Sequence, residues 1–149
     1  MSLKGQIIED MKVAMKAGDK DRLKVVRLML AAIKQIEVDQ RIEMDDAAVL
    51  AVLTKMVKQR RDSIEQFEKG KREDLAKIER DEIAVIDTYL PQQLAADELA
   101  AMVDEVIRAT GAETIRDMGK VMGQIKAKAA GRADMGAVSA TVKERLNAL

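Results

Sequence analysis

The sequence predicts an all-α protein, and three observations support this fold class. Ala, Leu, Met, Glu, Lys, Gln and Arg dominate the composition, and all of them are good helix formers. Apolar residues recur at three- and four-residue spacing, which is the period of one helix face. No segment shows the sustained alternation and β-branched enrichment of a strand. We therefore expect an N-terminal bundle of about four longer helices, followed by a compact unit of three shorter helices.

Capping residues and apolar stripes define the first two helices. Ser2 can cap a helix over residues 3–17, and Gly18 suits the left-handed conformation that often follows a helix. Asp19 precedes the second helix, which fades near residues 39–41. The apolar stripes are Leu3, Ile7, Met11 and Met15 in the first helix, and Leu23, Val26, Leu30 and Ile33 in the second.

The third and fourth helices complete the predicted bundle. The third begins at Asp45 and stops at Gly70, and the fourth extends from about Asp74 to Leu90. Pro91 is the single proline of the chain, and it disfavours the helical conformation in the residue before it. The fourth helix should therefore end there.

Pro91 also marks the predicted domain boundary. We expect an N-terminal helical domain over residues 1–90 and a C-terminal helical domain over residues 91–149. Glycines follow the first two of the shorter helices, as is common at helix ends. The three shorter helices are predicted over about 97–109, 117–130 and 134–148.

Composition excludes several classes of protein. The 149 residues include 26 basic and 26 acidic ones, so a strongly basic nucleic-acid protein is excluded, although a basic face is not. The chain has no His, Cys or Trp, which excludes disulfide scaffolds, thiolate nucleophiles and structural zinc sites. The aromatic residues are Phe67 and Tyr89, too few for base stacking on aromatic platforms.

The sequence also predicts a cellular location. No apolar run approaches the roughly 20 residues that span a bilayer, and the first residues do not resemble a signal peptide. We expect a cytoplasmic protein that binds neither membranes nor DNA.

The most distinctive segment is basic and spans residues 116–132. It contains five basic residues and one acid, Asp117, whereas the rest of the C-terminal part has three basic and seven acidic residues. A helical wheel places Arg116 and Lys120 on the side opposite the apolar one, with Lys128 at the edge of that opposite side. Asp117 would cap the helix start. The candidate phosphate ligands are Arg116, Lys120, Lys126, Lys128 and Arg132.

Two glycines lie on a flank of this predicted helix. Gly119 and Gly123 are one turn apart, near Lys126. A glycine inside a helix costs about 1 kcal/mol relative to alanine, so this spacing indicates that another backbone approaches closely. That backbone could be a phosphate backbone or another helix. The alternative interpretation is a solvated basic face with glycines at a helix crossing.

A second basic segment forms a possible further patch in the third helix. Acids follow it, so pairs such as Lys58–Asp62 and Arg61–Glu65 are available, and a simple solvated face is the alternative. The candidate residues of this second patch are Lys55, Lys58, Arg60 and Arg61.

The sequence offers no catalytic, metal or cofactor site. Acidic residues cluster between 73 and 82, but helical-bundle metal sites usually add histidines, which this chain lacks. No glycine-rich phosphate loop or nucleophile elbow occurs. The clustered acids are Glu73, Asp74, Glu79, Asp81 and Glu82.

Five segments carry a family resemblance that covers essentially the whole chain. They are 55–67, 79–83, 89–94, 117–123 and 131–134. Their order and spacing resemble the YqeY-like proteins of the GatB/YqeY family. The C-terminal unit is similar to the tail domain of the GatB component of the tRNA-dependent amidotransferase. The resemblance implies a two-part, all-helical fold whose tail-like unit helps to hold tRNA while catalysis occurs elsewhere.

The resemblance implies a non-catalytic tRNA-binding module linked to tRNA-dependent amidation or aminoacylation. Its partners would be tRNA and an aminoacyl-tRNA synthetase or amidotransferase. One alternative is a protein-interaction module of the translation machinery. Another is an accessory part of a glutamine-dependent carbon–nitrogen ligase, the activity that family labels often assign. The 149 residues hold no counterpart of a catalytic cradle or glutaminase subunit.

Overall fold

The structure, a computed structural model, describes residues 2–149. This part of the chain contains seven α-helices, one 3-10 turn and no strand, which confirms the all-α prediction. No helix among these residues has the length and hydropathy that a bilayer span requires. The elements are α1 (Leu3–Ala17), α2 (Lys20–Gln40), α3 (Asp46–Lys69), α4 (Glu73–Asp87), α5 (Ala96–Thr110), the 3-10 turn (Ile115–Asp117), α6 (Met118–Ala129) and α7 (Met135–Asn147).

Local capping sets most helix boundaries. The Ser2 hydroxyl accepts a hydrogen bond from Gly5 N at 3.0 Å, and the Asp45 carboxylate accepts one from Ala48 N at 2.9 Å. Gly18 takes the left-handed conformation at φ 68°, as predicted. These contacts satisfy backbone groups that a helix end leaves unpaired.

The end of α4 differs from the prediction. The α-helix stops at Asp87, and residues 88–90 continue as tighter turns instead of reaching Leu90 in helical form. Tyr89 N donates to Ile86 O at 3.0 Å, and Leu90 N donates to Asp87 O at 3.1 Å. The change to three-residue spacing moves Leu90 out of the α-helix before Pro91.

The chain divides into two compact units, Met1–Pro91 and Gln92–Leu149. In the first unit, α1 packs mainly against α2, α3 packs mainly against α4, and α2 also contacts α4. Branched apolar residues and methionines fill its core. The fully buried members are Ile7, Val26, Met29, Ile33, Val49, Leu53 and Ile86.

The second unit has its own apolar core. Helices α5, α6 and α7 each pack against the other two. Leu94 N donates to Arg132 O at 2.8 Å, and Gln93 Nε2 donates to Gly131 O at 2.7 Å, which attaches the start of this unit to the turn after α6. The fully buried core residues are Val103, Val106, Val121, Ile125, Ala129, Val138 and Val142.

Candidate nucleic-acid interface

A short 3-10 turn introduces the basic helix. The Asp117 carboxylate accepts hydrogen bonds from Glu113 N at 2.8 Å and Thr114 N at 3.2 Å. These bonds, with a smaller effect of the Lys120 charge, lower the pKa of Asp117. Asp117 therefore completes a capping box with Thr114, the N-cap of the 3-10 turn, whereas α6 begins without a side-chain cap. The predicted role of Asp117 as the cap of the helix itself is corrected in this respect.

The apolar side of α6 faces the core, as the helical wheel predicts. Val121, Ile125 and Ala129 are fully buried, and Met118 and Met122 pack against the same core. The polar side is thereby turned to solvent.

Four of the predicted cations lie on this solvent side or in the turn before it. Arg116 belongs to the 3-10 turn, whereas Lys120, Lys126 and Lys128 project from α6. All four are exposed. None of them forms an ion pair within residues 2–149. Exposed cations without such an ion pair are available to contact an external anion.

Arg132 has a different environment from the other four cations. It is partly buried, and its Nε donates a hydrogen bond to Gln92 O at 3.0 Å. Its own carbonyl accepts the hydrogen bond from Leu94 N. Arg132 thus holds the segment that leads into α5, a structural contact that the sequence did not reveal.

The two glycines of α6 border open space. A Cβ built on Gly119 or Gly123 meets no atom of the described residues within 4 Å, apart from neighbours in its own helix. The predicted helix crossing at these glycines therefore does not occur within the described chain. Gly119, Gly123 and Ala127 form a smooth exposed strip, and helical geometry places this strip between Lys120 and Lys126.

Arg60 does not contribute to an exposed second patch. Its Nε donates to Glu82 Oε2 at 3.0 Å and lies 4.0 Å from Glu79 Oε2, and its Nη1 donates to Met56 O at 3.2 Å. Its side chain is only 14% exposed. The expectation that Arg60 contributes to an exposed phosphate-binding patch is corrected, because its guanidinium joins α3 to α4.

The remaining cations of this second patch are exposed. Lys58 pairs with Asp62 at 3.5 Å, as the helical spacing predicts. The expected Arg61–Glu65 pair is absent among the described residues, because Glu65 pairs with Lys69 at 3.1 Å. Lys55 and Arg61 are exposed and form no ion pair within residues 2–149.

The clustered acids between 73 and 82 contact basic side chains. Glu73 pairs with Arg80, and Asp81 pairs with Lys77 at 2.8 Å. The described residues contain no group of acids that could hold a metal ion. The acids therefore serve as ion-pair partners along α3 and α4.

A basic stripe on α2 was not predicted from the sequence. Its members are all exposed and follow alternating spacings of four and three residues, which places them on one face. The same spacing that identified the apolar stripes could have identified them. This α2 stripe consists of Lys20, Lys24, Arg27, Ala31, Lys34 and Val38.

Comparison with known proteins establishes the family. The model of the Yqey-like protein family matches residues 4–146, nearly the whole chain. The chain belongs to the YqeY-like family.

Curated relatives of this YqeY-like protein occur in yeasts under the name "Altered inheritance of mitochondria protein 41, mitochondrial". The protein of Lachancea thermotolerans is 41% identical over 91 residues, which cover 60% of this chain and 49% of the relative. That of Kluyveromyces lactis is 39% identical over 82 residues, covering 54% and 44%. That of Saccharomyces cerevisiae is 30% identical over 122 residues, covering 78% and 66%. The chain thus spans about half the length of the first two relatives.

These names contradict the predicted cytoplasmic localisation. Each of the three relatives is named as a mitochondrial protein. The prediction failed because a helix-forming, charge-balanced composition occurs in many compartments and specifies none of them.

Proposed function

We propose that this YqeY-like protein is a non-catalytic module that binds tRNA through phosphate contacts from its second unit. The observation that carries the proposal is the exposure of four cations without ion-pair partners among residues 2–149, in a chain of zero net charge. The phosphate ligands would be Arg116, Lys120, Lys126 and Lys128.

Such an interface would recognise the backbone and shape of RNA rather than its bases. Phe67 and Tyr89, the aromatic residues of the chain, both lie in the first unit, so the second unit cannot stack bases on aromatic rings. Phosphate contacts position a nucleic acid without carrying sequence information. We therefore expect little sequence preference.

The exposed glycines support the same proposal. With no side chain at Gly119 or Gly123, a phosphate backbone could come close to the helix surface between Lys120 and Lys126. The conformational-entropy cost of two glycines within a helix would then be offset by closer charge–phosphate contact.

The link to tRNA-dependent amidation or aminoacylation belongs to the proposal as well. It is supported by the resemblance of segments such as 117–123 to the amidotransferase tail domain. An aminoacyl-tRNA synthetase or amidotransferase would catalyse the reaction, and this chain would help to bind the tRNA.

Fluorescence anisotropy with labelled total tRNA at low and moderate salt tests the proposal. Four phosphate contacts give a slope of about −3 in a plot of log affinity against log salt. The Lys120→Glu/Lys128→Glu variant should bind at least about tenfold more weakly. The matched control is Arg108→Glu/Lys143→Glu, which makes the same charge change in the same unit.

The control separates a local interface from a general charge effect. It should retain most of the affinity, because neither residue lies on the solvent side of α6. An equal loss in both variants, or no binding of tRNA at low salt, would refute the proposed interface.

A further inference from the structure

Helix α2 has one face in the core and the opposite face in solvent. Val26, Met29 and Ile33 are fully buried in the first unit. The α2 stripe occupies the other side, and all six of its members are exposed. From Lys20 to Val38 it runs about 27 Å along the helix. This length could receive a helix of five turns.

The α2 stripe is positively charged along most of its length. It has four cations and no acid. Lys24 contacts Glu82 at 3.8 Å, a long ion pair. Lys20, Arg27 and Lys34 form no ion pair within the described residues. The stripe therefore presents a row of charge that complements an acidic ligand.

Apolar side chains accompany these cations. A shallow depression on this face is lined by residues of α2. One of them is Ala31, whose small methyl side chain leaves the surface open at that point. Leu28 is 40% exposed and Val38 is 62% exposed. The residues that line the depression are Lys20, Leu23, Lys24, Arg27, Leu28 and Ala31.

We propose that the α2 stripe docks an acidic amphipathic helix of a partner protein. A helix presents side chains at the same three- and four-residue spacing, so its apolar residues could pack on Leu28, Ala31 and Val38 while its carboxylates pair with the cations. A phosphate backbone would match the charges but would leave the apolar side chains without a partner. This inference is independent of the proposed tRNA interface in the second unit.

A site-specific label on the full chain tests the proposal. The chain has no cysteine, so Gln35→Cys, at an exposed position of α2 beside the stripe, provides a single attachment point for a fluorophore. Val13→Cys, at a position that is 63% exposed on α1, provides the control label. The probe is a synthetic helical peptide of about five turns, rich in Glu and with Leu at every third or fourth position. A peptide of the same composition with scrambled order is the control ligand.

The peptide should change the emission of the label at residue 35 in a saturable way and leave the label at residue 13 unaffected. Arg27→Glu/Lys34→Glu should weaken binding by about tenfold. The same charge change in Lys12→Glu/Lys16→Glu on α1 should have little effect. All four of these residues are exposed, so circular dichroism should show unchanged helicity.

Other results would overturn the proposal. They are no binding of the ordered peptide, equal binding of the scrambled peptide, or an equal loss in both double variants. A response of the label at residue 35 to total tRNA or to anionic lipid vesicles, without a response to the peptide, would assign the stripe to a different ligand.

Discussion

Arg60 Nε donates a 3.0 Å hydrogen bond to Glu82 Oε2 and so connects α3 to α4 within the first unit. Both side chains are largely shielded from water, with 14% and 11% of their surface exposed. A buried carboxylate is tolerated only while a counter-charge and hydrogen bonds accompany it. The arginine is therefore part of the framework of this unit, although its sequence neighbours are exposed cations.

Replacing Arg60 by alanine should destabilise the first unit by about 2 kcal/mol. Within residues 2–149, the variant leaves Glu82 shielded from water with only Lys24, 3.8 Å away, as a counter-charge. Urea unfolding followed by the fluorescence of Tyr89 measures this unit, because Tyr89 is the one tyrosine of the chain. Arg61→Ala is the matched control and should change stability by less than about 0.5 kcal/mol. Equal effects would contradict the structural role of Arg60.

Tyr89 should ionise at an unusually high pH. Burial, and then its 2.5 Å hydrogen bond to Asp10 Oδ2, raises the pKa of Tyr89 from 10.0 to about 12. The folded state favours the neutral phenol. This contribution to stability is therefore complete below pH 10 and is lost as the pH rises towards 12.

The ultraviolet absorbance of phenolate measures this shift directly. The native chain should titrate well above the urea-unfolded chain, and Asp10→Asn should lower the native midpoint because the carboxylate charge is gone. Coincident titrations of native and unfolded chains would refute the expectation.

Gly123→Ala should stabilise the second unit by about 0.5–1 kcal/mol. The new methyl group meets only neighbours in its own helix, and alanine is the better helix former. Hydrogen exchange of the α6 amides should slow accordingly. Gly111→Ala is the control and should destabilise the second unit, because Gly111 has a φ of +69° that alanine disfavours. If the glycine serves the tRNA interface, Gly123→Ala should also weaken tRNA binding.

Arg132→Ala should lower the free energy of unfolding of the second unit by about 1 kcal/mol, because the hydrogen bond to Gln92 O is lost. A local consequence should be faster exchange of the Leu94 amide, which donates to Arg132 O at 2.8 Å. Lys126→Ala removes an exposed cation and should leave that amide unchanged. Similar exchange in the two variants would show that the Arg132 side chain does not hold this segment.

Asp104 should make the second unit sensitive to acid. Arg145 Nε donates to Asp104 Oδ1 at 2.8 Å, and a second contact joins Nη2 to Oδ2. The hydrogen bonding of Arg145 lowers the pKa of Asp104 below 3.8. The stabilisation is therefore present above pH 3.8 and is lost as the pH falls through the folded value. Asp104→Asn should reduce the acid dependence of amide exchange in α7, and an unchanged dependence would contradict this assignment.

Local signals in the sequence were sufficient to predict most of the helix boundaries. Ser2 and Asp45 cap helices through bonds to amides three residues away, and Gly18 ends α1 within the same turn. Such contacts depend on neighbours along the chain, so the sequence shows them directly. The apolar side of α6 was predictable for the same reason.

Contacts between distant residues could not be predicted in this way. Arg60 and Glu82 are separated by 22 residues, and Arg132 and Gln92 by 40. From its spacing in the sequence, Arg60 was predicted to be exposed in the same way as Arg61. It also could not distinguish a glycine at a helix crossing from Gly123, which borders open space.

The pairing of neighbouring helices in the first unit has a consequence for the order of folding. The α1–α2 hairpin closes over residues 18–19 and the α3–α4 hairpin closes over residues 70–72. Helical domains with such local contacts fold in about microseconds to milliseconds. The Tyr89–Asp10 hydrogen bond joins residues 79 positions apart, so it can form only after both hairpins have been synthesised. During synthesis on the ribosome, the core face of the first hairpin therefore remains exposed to solvent until the second hairpin emerges.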